Sequence, residues 1–176
     1  MEKKYLKRKP MVRKVSGIAK ASKRPAKKKK TKVALWAEYG LKKPVYVRYS
    51  GLAGVLWWVM SQYVRQTEFK EFGGECVDGC GRKVLDWREA DCGHFISATK
   101  LKTRFMRKNL GLQTKFCNSP FMGNDNTYGY GKMINKRYGE GTAEELIELS
   151  KETGKAMTKS EMHEQILYFQ ALLEKE

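Results

Sequence analysis

The sequence predicts an α+β fold: a small core of two strands and a helix stapled by a metal, further helices around it, and a basic arm ahead of it. Three observations predict this. The residues able to do chemistry crowd between Cys76 and Asn124, a stretch that holds all four cysteines and one of the two histidines. Apolar residues recur at spacings of three and four on either side of it, as helices with one buried face require. The charge is segregated as well: residues 1–32 carry 15 Lys and Arg against one acid, so +14 of the formal +17 sits there and the remainder of the 176-residue chain is nearly neutral.

The arm, residues 1–32, is repetitive in Lys, contains Pro10 and Pro25 and has few large apolar groups, so it is expected to stay disordered until it meets a partner. Its densest run, Lys27, Lys28, Lys29 and Lys30, suits a phosphate backbone, where each neutralised phosphate releases counterions and gives affinity that falls with salt. The plainer reading is a solvated tail. A membrane surface is a poor match, because large apolar residues are not interleaved with the charges. No secretory signal is evident and the first strong apolar run, residues 52–60, is too short to span a bilayer, so a cytoplasmic location is expected. In a reducing compartment, clustered cysteines read as metal ligands before they read as disulfides.

Residues 33–75 form an aromatic and basic segment followed by a helix. Trp36, Tyr39, Tyr46 and Tyr49 lie among Lys42, Lys43 and Arg48, a mixture that suits either base stacking or simple packing on the body. Leu52, Val55, Leu56, Val59 and Tyr63 then share one helical face, and Gly73-Gly74 ends the helix. Residues 76–139 are the expected core. Cys76-Val-Asp-Gly-Cys80 is a tight turn presenting two thiolates, residues 84–87 and 92–96 read as a hairpin with His94 on its second strand, and Lys100, Lys102, Arg104, Arg107 and Lys108 mark a basic loop able to run over a phosphate strand. Cys117-Asn118 follows, and Pro120 places the start of a new helix after Gly123. Residues 140–176 contain two capping boxes, Thr142-x-x-Glu145 and Thr158-x-x-Glu161, each opening a helix expected to pack on the core; His163 in the second reads as a surface residue.

Thiolates at short spacing, a lone histidine on a strand and a Cys-Asn pair downstream are the parts of a zinc-stapled ββα-metal site. The order and spacing of Leu56-Trp57, Ser61, Tyr63-Val64-Arg65, the Cys76/Cys80 pair, Asp91-Cys92-Gly93-His94-Phe95, Thr103-Arg104-Phe105, Asn109, Cys117-Asn118, Gly123-Asn124 and Tyr138-Gly139 resemble the NinG/Rap family of phage recombination endonucleases. That resemblance implies an HNH-like, ββα-metal nuclease that cuts branched DNA such as D-loops and Holliday junctions, in the host cytoplasm if the chain is phage-encoded, with a homodimer as the simplest way to make paired cuts. It implies His94 as general base, Asn109 as the residue that pins the loop behind it, and Asn118 with Asp91 as ligands of a catalytic Mg2+ or Mn2+. Glu89 stands as a substitute for Asp91, since Gly93 occupies the position before the histidine where relatives often carry an acid. Cys76, Cys80 and Cys117 are then three ligands of a structural Zn2+, with Thr114 where the family places a fourth cysteine and Gly111 where it often has a histidine. The alternative is a zinc-knuckle module that binds nucleic acid without cutting it.

Overall fold

The structure, a computed structural model, describes residues 32–119 and 127–175. The expectations for the basic arm, including Lys27 to Lys30, and for Gly123 and Asn124 fall outside the described residues. In chain order the elements are α1 (Lys32–Ala37), α2 (Leu52–Phe72), β1 (Asp91–His94), a 3-10 turn (Arg107–Asn109), β2 (Leu110–Gln113), α3 (Thr127–Tyr138), α4 (Thr142–Lys151) and α5 (Lys159–Leu173). This is a mixed fold of helices with one small two-stranded sheet. Among the described residues no helix is long and apolar enough to cross a membrane.

Helix α2 is the scaffold. Val55, Leu56, Val59, Met60 and Val64 are buried along it, each worth about 1.5–3 kcal/mol of transfer free energy. Helix α5 lies against α2 and adds Ile166 and Phe169; Trp36 from α1, and Cys92 and Leu110 from the sheet, complete the same cluster. Gly73 ends α2 in the left-handed conformation (φ 60), which only glycine adopts without cost. The box expected at Thr158 is present in both halves: its side chain accepts from the Glu161 backbone N–H, and the Glu161 carboxylate accepts from the Thr158 N–H.

The hairpin differs from the sequence expectation. β1 pairs antiparallel with β2, Cys92 opposite Leu112 and His94 opposite Leu110, and residues 84–87 form no strand. There the Asp86 carboxylate accepts from the Arg88 backbone N–H, and the chain turns instead of extending. One face of the sheet, with Cys92, His94, Leu110 and Leu112, is directed toward α2; the opposite face carries the facing pair Gly93 and Gly111. A Cβ at position 111 would lie 2.6 Å from Val77 Cγ1, so the cysteine turn can seat directly on the sheet only because Gly111 has no side chain. The Val77 N–H donates to Leu112 O at 2.9 Å and fixes that contact.

A second cluster gathers Val77, Tyr130, Ile134, Ala143 and Leu146, joining the cysteine turn to α3 and α4. The capping box expected at Thr142 does not form: Gly141 occupies the N-cap and the Thr142 hydroxyl donates to Tyr138 O. Between the two clusters lies Glu68, fully buried. Its carboxylate accepts from Arg137 at 2.8 Å, Arg107 at 3.1 Å, Tyr138 Oη at 3.2 Å and the Leu112 N–H at 2.7 Å, so one side chain of α2 ties together β2, α3 and the 3-10 turn.

Candidate metal centre and active-site cleft

The turn after α2 brings Cys76, Asp78, Cys80 and Cys117 together, their donor atoms all within 4.8 Å of one another. Cys80 Sγ lies 3.3 Å from Cys117 Sγ, and the Asp78 carboxylate accepts from the Cys80 N–H at 3.0 Å. Burial pushes the Cys76 and Cys80 thiols above their ordinary range. For Asp78 burial works the same way, but hydrogen bonds from Cys80, Cys117 and Cys76 outweigh it and hold the carboxyl low. Three sulfurs and one carboxylate oxygen converging in this way fit a tetrahedral zinc ion, and binding one must release thiol protons. Asp78 fills the position that the sequence left open beside Thr114. The signal was present, a carboxylate two residues from each thiol of the pair, but in Cys76-Val-Asp-Gly-Cys80 an aspartate also reads as a turn residue. Cys92 takes no part in this cluster; it is buried in the core, and burial followed by the Glu68 charge pushes its thiol up to about 12.

His94 closes β1. Its Nε2–H donates to Arg104 O at 3.0 Å, and the ring stacks on Trp57 with centroids 4.9 Å apart and planes 14° from parallel. With the proton on Nε2, Nδ1 carries the lone pair, and that atom is buried with no hydrogen-bond partner among the described residues. Burial, followed by the nearby Arg48 charge, lowers the imidazole to about 4, so the ring is neutral at physiological pH. The carbonyl that holds Nε2 belongs to the loop between the strands, and Asn109 shapes that loop. Fully buried, Asn109 accepts from Ile96 N–H at 2.6 Å and donates to Ile96 O at 3.1 Å and Thr103 O at 2.9 Å. Asn109 is thus a positioning residue that reaches His94 through the backbone.

At the other end of β1, Asn118 Nδ2 donates to Asp91 Oδ2 at 2.9 Å. Among the described residues the amide oxygen and the second carboxylate oxygen have no other hydrogen-bond partner, and both are hard donors of the kind magnesium takes. Both residues line a cleft of about 380 Å³ together with Arg48, Trp57, Trp58 and Arg65. Strand alternation puts His94 on the Cys92 face and Asp91 on the other, and Trp57 connects them, stacking on His94 while lining the cleft. Glu89, the substitute for Asp91, lies in the turn before β1 and does not line this cleft.

The basic loop divides. Lys100 and Lys108 are exposed, and Lys102 pairs with Glu152. Arg104 folds back to donate to Ala98 O at 2.6 Å and lies over the Tyr49 ring. Arg107 points inward to Glu68, Leu110 O and Tyr138 Oη, so the phosphate contact expected of it gives way to a buried ion pair. His163 is exposed, with Nδ1 at 2.8 Å from Tyr39 Oη. Sequence reasoning did not single out Glu68, Arg48 or Arg65 as site residues: the partners of Glu68 and the Ala90 carbonyl that fixes Arg65 are distant in sequence, which local spacings do not record, whereas the signal for Arg48 was its place among Tyr46, Tyr49 and Trp57. A family model described as Bacteriophage Lambda NinG protein matches residues 2–176. No curated protein and no solved structure matches the chain.

Proposed function

The chain belongs to the NinG family, and on that premise we propose that it is an HNH-like, metal-dependent endonuclease that hydrolyses phosphodiesters in branched DNA recombination intermediates such as Holliday junctions or D-loops. Family membership supports a role in phage recombination, hence in the host cytoplasm, and the succession of β1, β2 and α3 along the chain, strand then strand then helix, is what supports reading a ββα-metal core here. The observation that carries the reading is the fixed tautomer of His94: Nε2–H held by Arg104 O, Nδ1 left with its lone pair, and the ring stacked on a wall of the cleft that holds Asp91 and Asn118.

In this mechanism Asp91 and Asn118 would hold Mg2+ or Mn2+ through a carboxylate and an amide oxygen. A divalent cation bound there supplies charge against the negative charge that develops on the phosphate and the leaving oxygen. His94 takes a proton from the attacking water at Nδ1, and Arg104 O steadies the imidazolium that forms. Asn109 keeps Arg104 O in place through Ile96 and Thr103. Cys76, Asp78, Cys80 and Cys117 would hold Zn2+ and anchor the segment bearing Asn118 to the turn under the sheet.

One observation favours a second reading, a zinc-knuckle protein that binds DNA without cutting it: Nδ1 is closed off, so water reaches it only when neighbouring side chains move. Incubating linear, flapped and four-way DNAs with and without Mg2+ decides between the two. The nuclease reading expects Mg2+-dependent cuts in branched substrates; binding to all three without cleavage of any would leave only the second.

A further inference from the structure

We infer that Arg48 and Arg65 form a phosphate subsite that holds a DNA phosphodiester beside the Asp91–Asn118 pair. This deepens the nuclease reading and rests on it only for the identity of the strand. Both arginines line the cleft that contains Asp91 and Asn118. Arg48 is exposed and lies over the rings of Trp57 (5.4 Å) and Tyr49 (5.6 Å), so the aromatic wall holds the charge at the cleft while leaving its N–H groups to a ligand. Arg65 is fixed more firmly, with Nε donating to Ser61 O at 3.0 Å and Nη1 to Ala90 O at 3.0 Å, the residue before Asp91. Among the described residues neither arginine has a carboxylate within salt-bridge distance, in contrast to Arg88, Arg107 and Arg137.

Two guanidinium groups and one carboxylate leave the cleft with a net positive charge, and a cleft of about 380 Å³ is large enough for a small ligand or one nucleotide unit. Guanidinium forks match the paired oxygens of a phosphodiester, and the cost of ordering them has already been met by the rings under Arg48 and the carbonyls around Arg65. A strand phosphate seated there lies in the same cleft as Asp91 and Asn118. The two arginines thus set register, while the residues at the ends of β1 would act on the bond.

The test is the salt dependence of binding by the full chain, measured by fluorescence anisotropy in EDTA, so that no cleavage occurs. The probes are a four-way DNA junction, a single DNA strand and an RNA strand of the same sequence. Arg48→Gln is expected to weaken both DNA probes about tenfold at physiological salt and to lower the slope of log K against log[salt] by about one. Arg65→Lys, which keeps the charge but loses the fork and the bonds to Ser61 O and Ala90 O, is expected to weaken binding with the slope unchanged when both proteins are assayed well below their own melting temperatures. Lys155→Gln, in a different cleft beside Met157, is the control for generic loss of charge. If Arg48→Gln behaves like Lys155→Gln, or changes RNA binding only, the subsite is wrong. Separate Mg2+ assays keep the two claims apart: cleavage with an unchanged Arg48→Gln slope removes the subsite and keeps the nuclease, whereas a lowered slope without any cleavage does the reverse.

Discussion

Replacing Asn109 by alanine tests how the loop that holds His94 is supported. The amide accepts from Ile96 N–H and donates to the carbonyls of Ile96 and Thr103. In the variant, Thr103 O keeps the Met106 N–H as a partner, but both polar groups of the half-buried Ile96 lose their bonds to the fully buried Asn109 side chain. At about 1–3 kcal/mol for each orphaned group, the loss comes to about 2–6 kcal/mol, a large share of the 5–15 kcal/mol typical of a domain. Urea denaturation followed by tryptophan fluorescence measures it. Asn109→Asp separates the cause further: the carboxylate still accepts from Ile96 N–H but faces two carbonyls without a proton to offer, so it is expected to be at least as damaging as alanine. Imidazole nitrogen chemical shifts supply the functional half, because a loosened loop should release His94 from its Nε2–H tautomer. A loss below about 1 kcal/mol in both variants, with the His94 tautomer unchanged, would refute the argument.

Glu68→Gln is expected to cost about 3–5 kcal/mol in the same assay, since it leaves the buried Arg137 and the half-buried Arg107 without their counter-charge; a change below about 1 kcal/mol would mean that the network contributes little. Asp78→Ala should weaken zinc binding, measured by competition with a chromophoric chelator, by more than about tenfold, and an unchanged affinity would exclude Asp78 from the ligand set. His94 has a folded value of about 4 against an ordinary 6.5, so between those pH values the unfolded chain binds the extra proton and stability falls as pH drops; the group's share is about 3 kcal/mol at most, and His94→Gln should flatten that part of the pH–stability curve.

Local patterns were legible in the sequence, and long-range partnerships were not. The spacing of Val55, Leu56 and Val59 gives α2 and its buried face, and the Thr158 box gives the start of α5, because both are short-range periodicities. The strand carrying His94 was found, but its partner was sought in residues 84–87, next to it in the chain, while the true partner, β2, lies beyond a loop of residues 95–109. Thr142 has the residues of a capping box and lacks its geometry, because Tyr138 O takes the hydroxyl first. Arg107 shows the same limit for charge: it reads as part of a basic loop over a phosphate strand until Glu68 and Tyr138 are brought beside it. At the candidate site, Asp91 and Asn118 do meet, 27 positions apart, and the fourth donor of the cysteine cluster lay within a turn already identified for other reasons.

The most direct test of the account is the single-turnover rate on the best-cut branched DNA in Mg2+, comparing the unmodified chain with His94→Ala while DNA affinity is followed in parallel. The account predicts a fall of about 100- to 10,000-fold in rate with affinity unchanged. Equal rates for the two proteins, or no Mg2+-dependent cleavage by either, would contradict it.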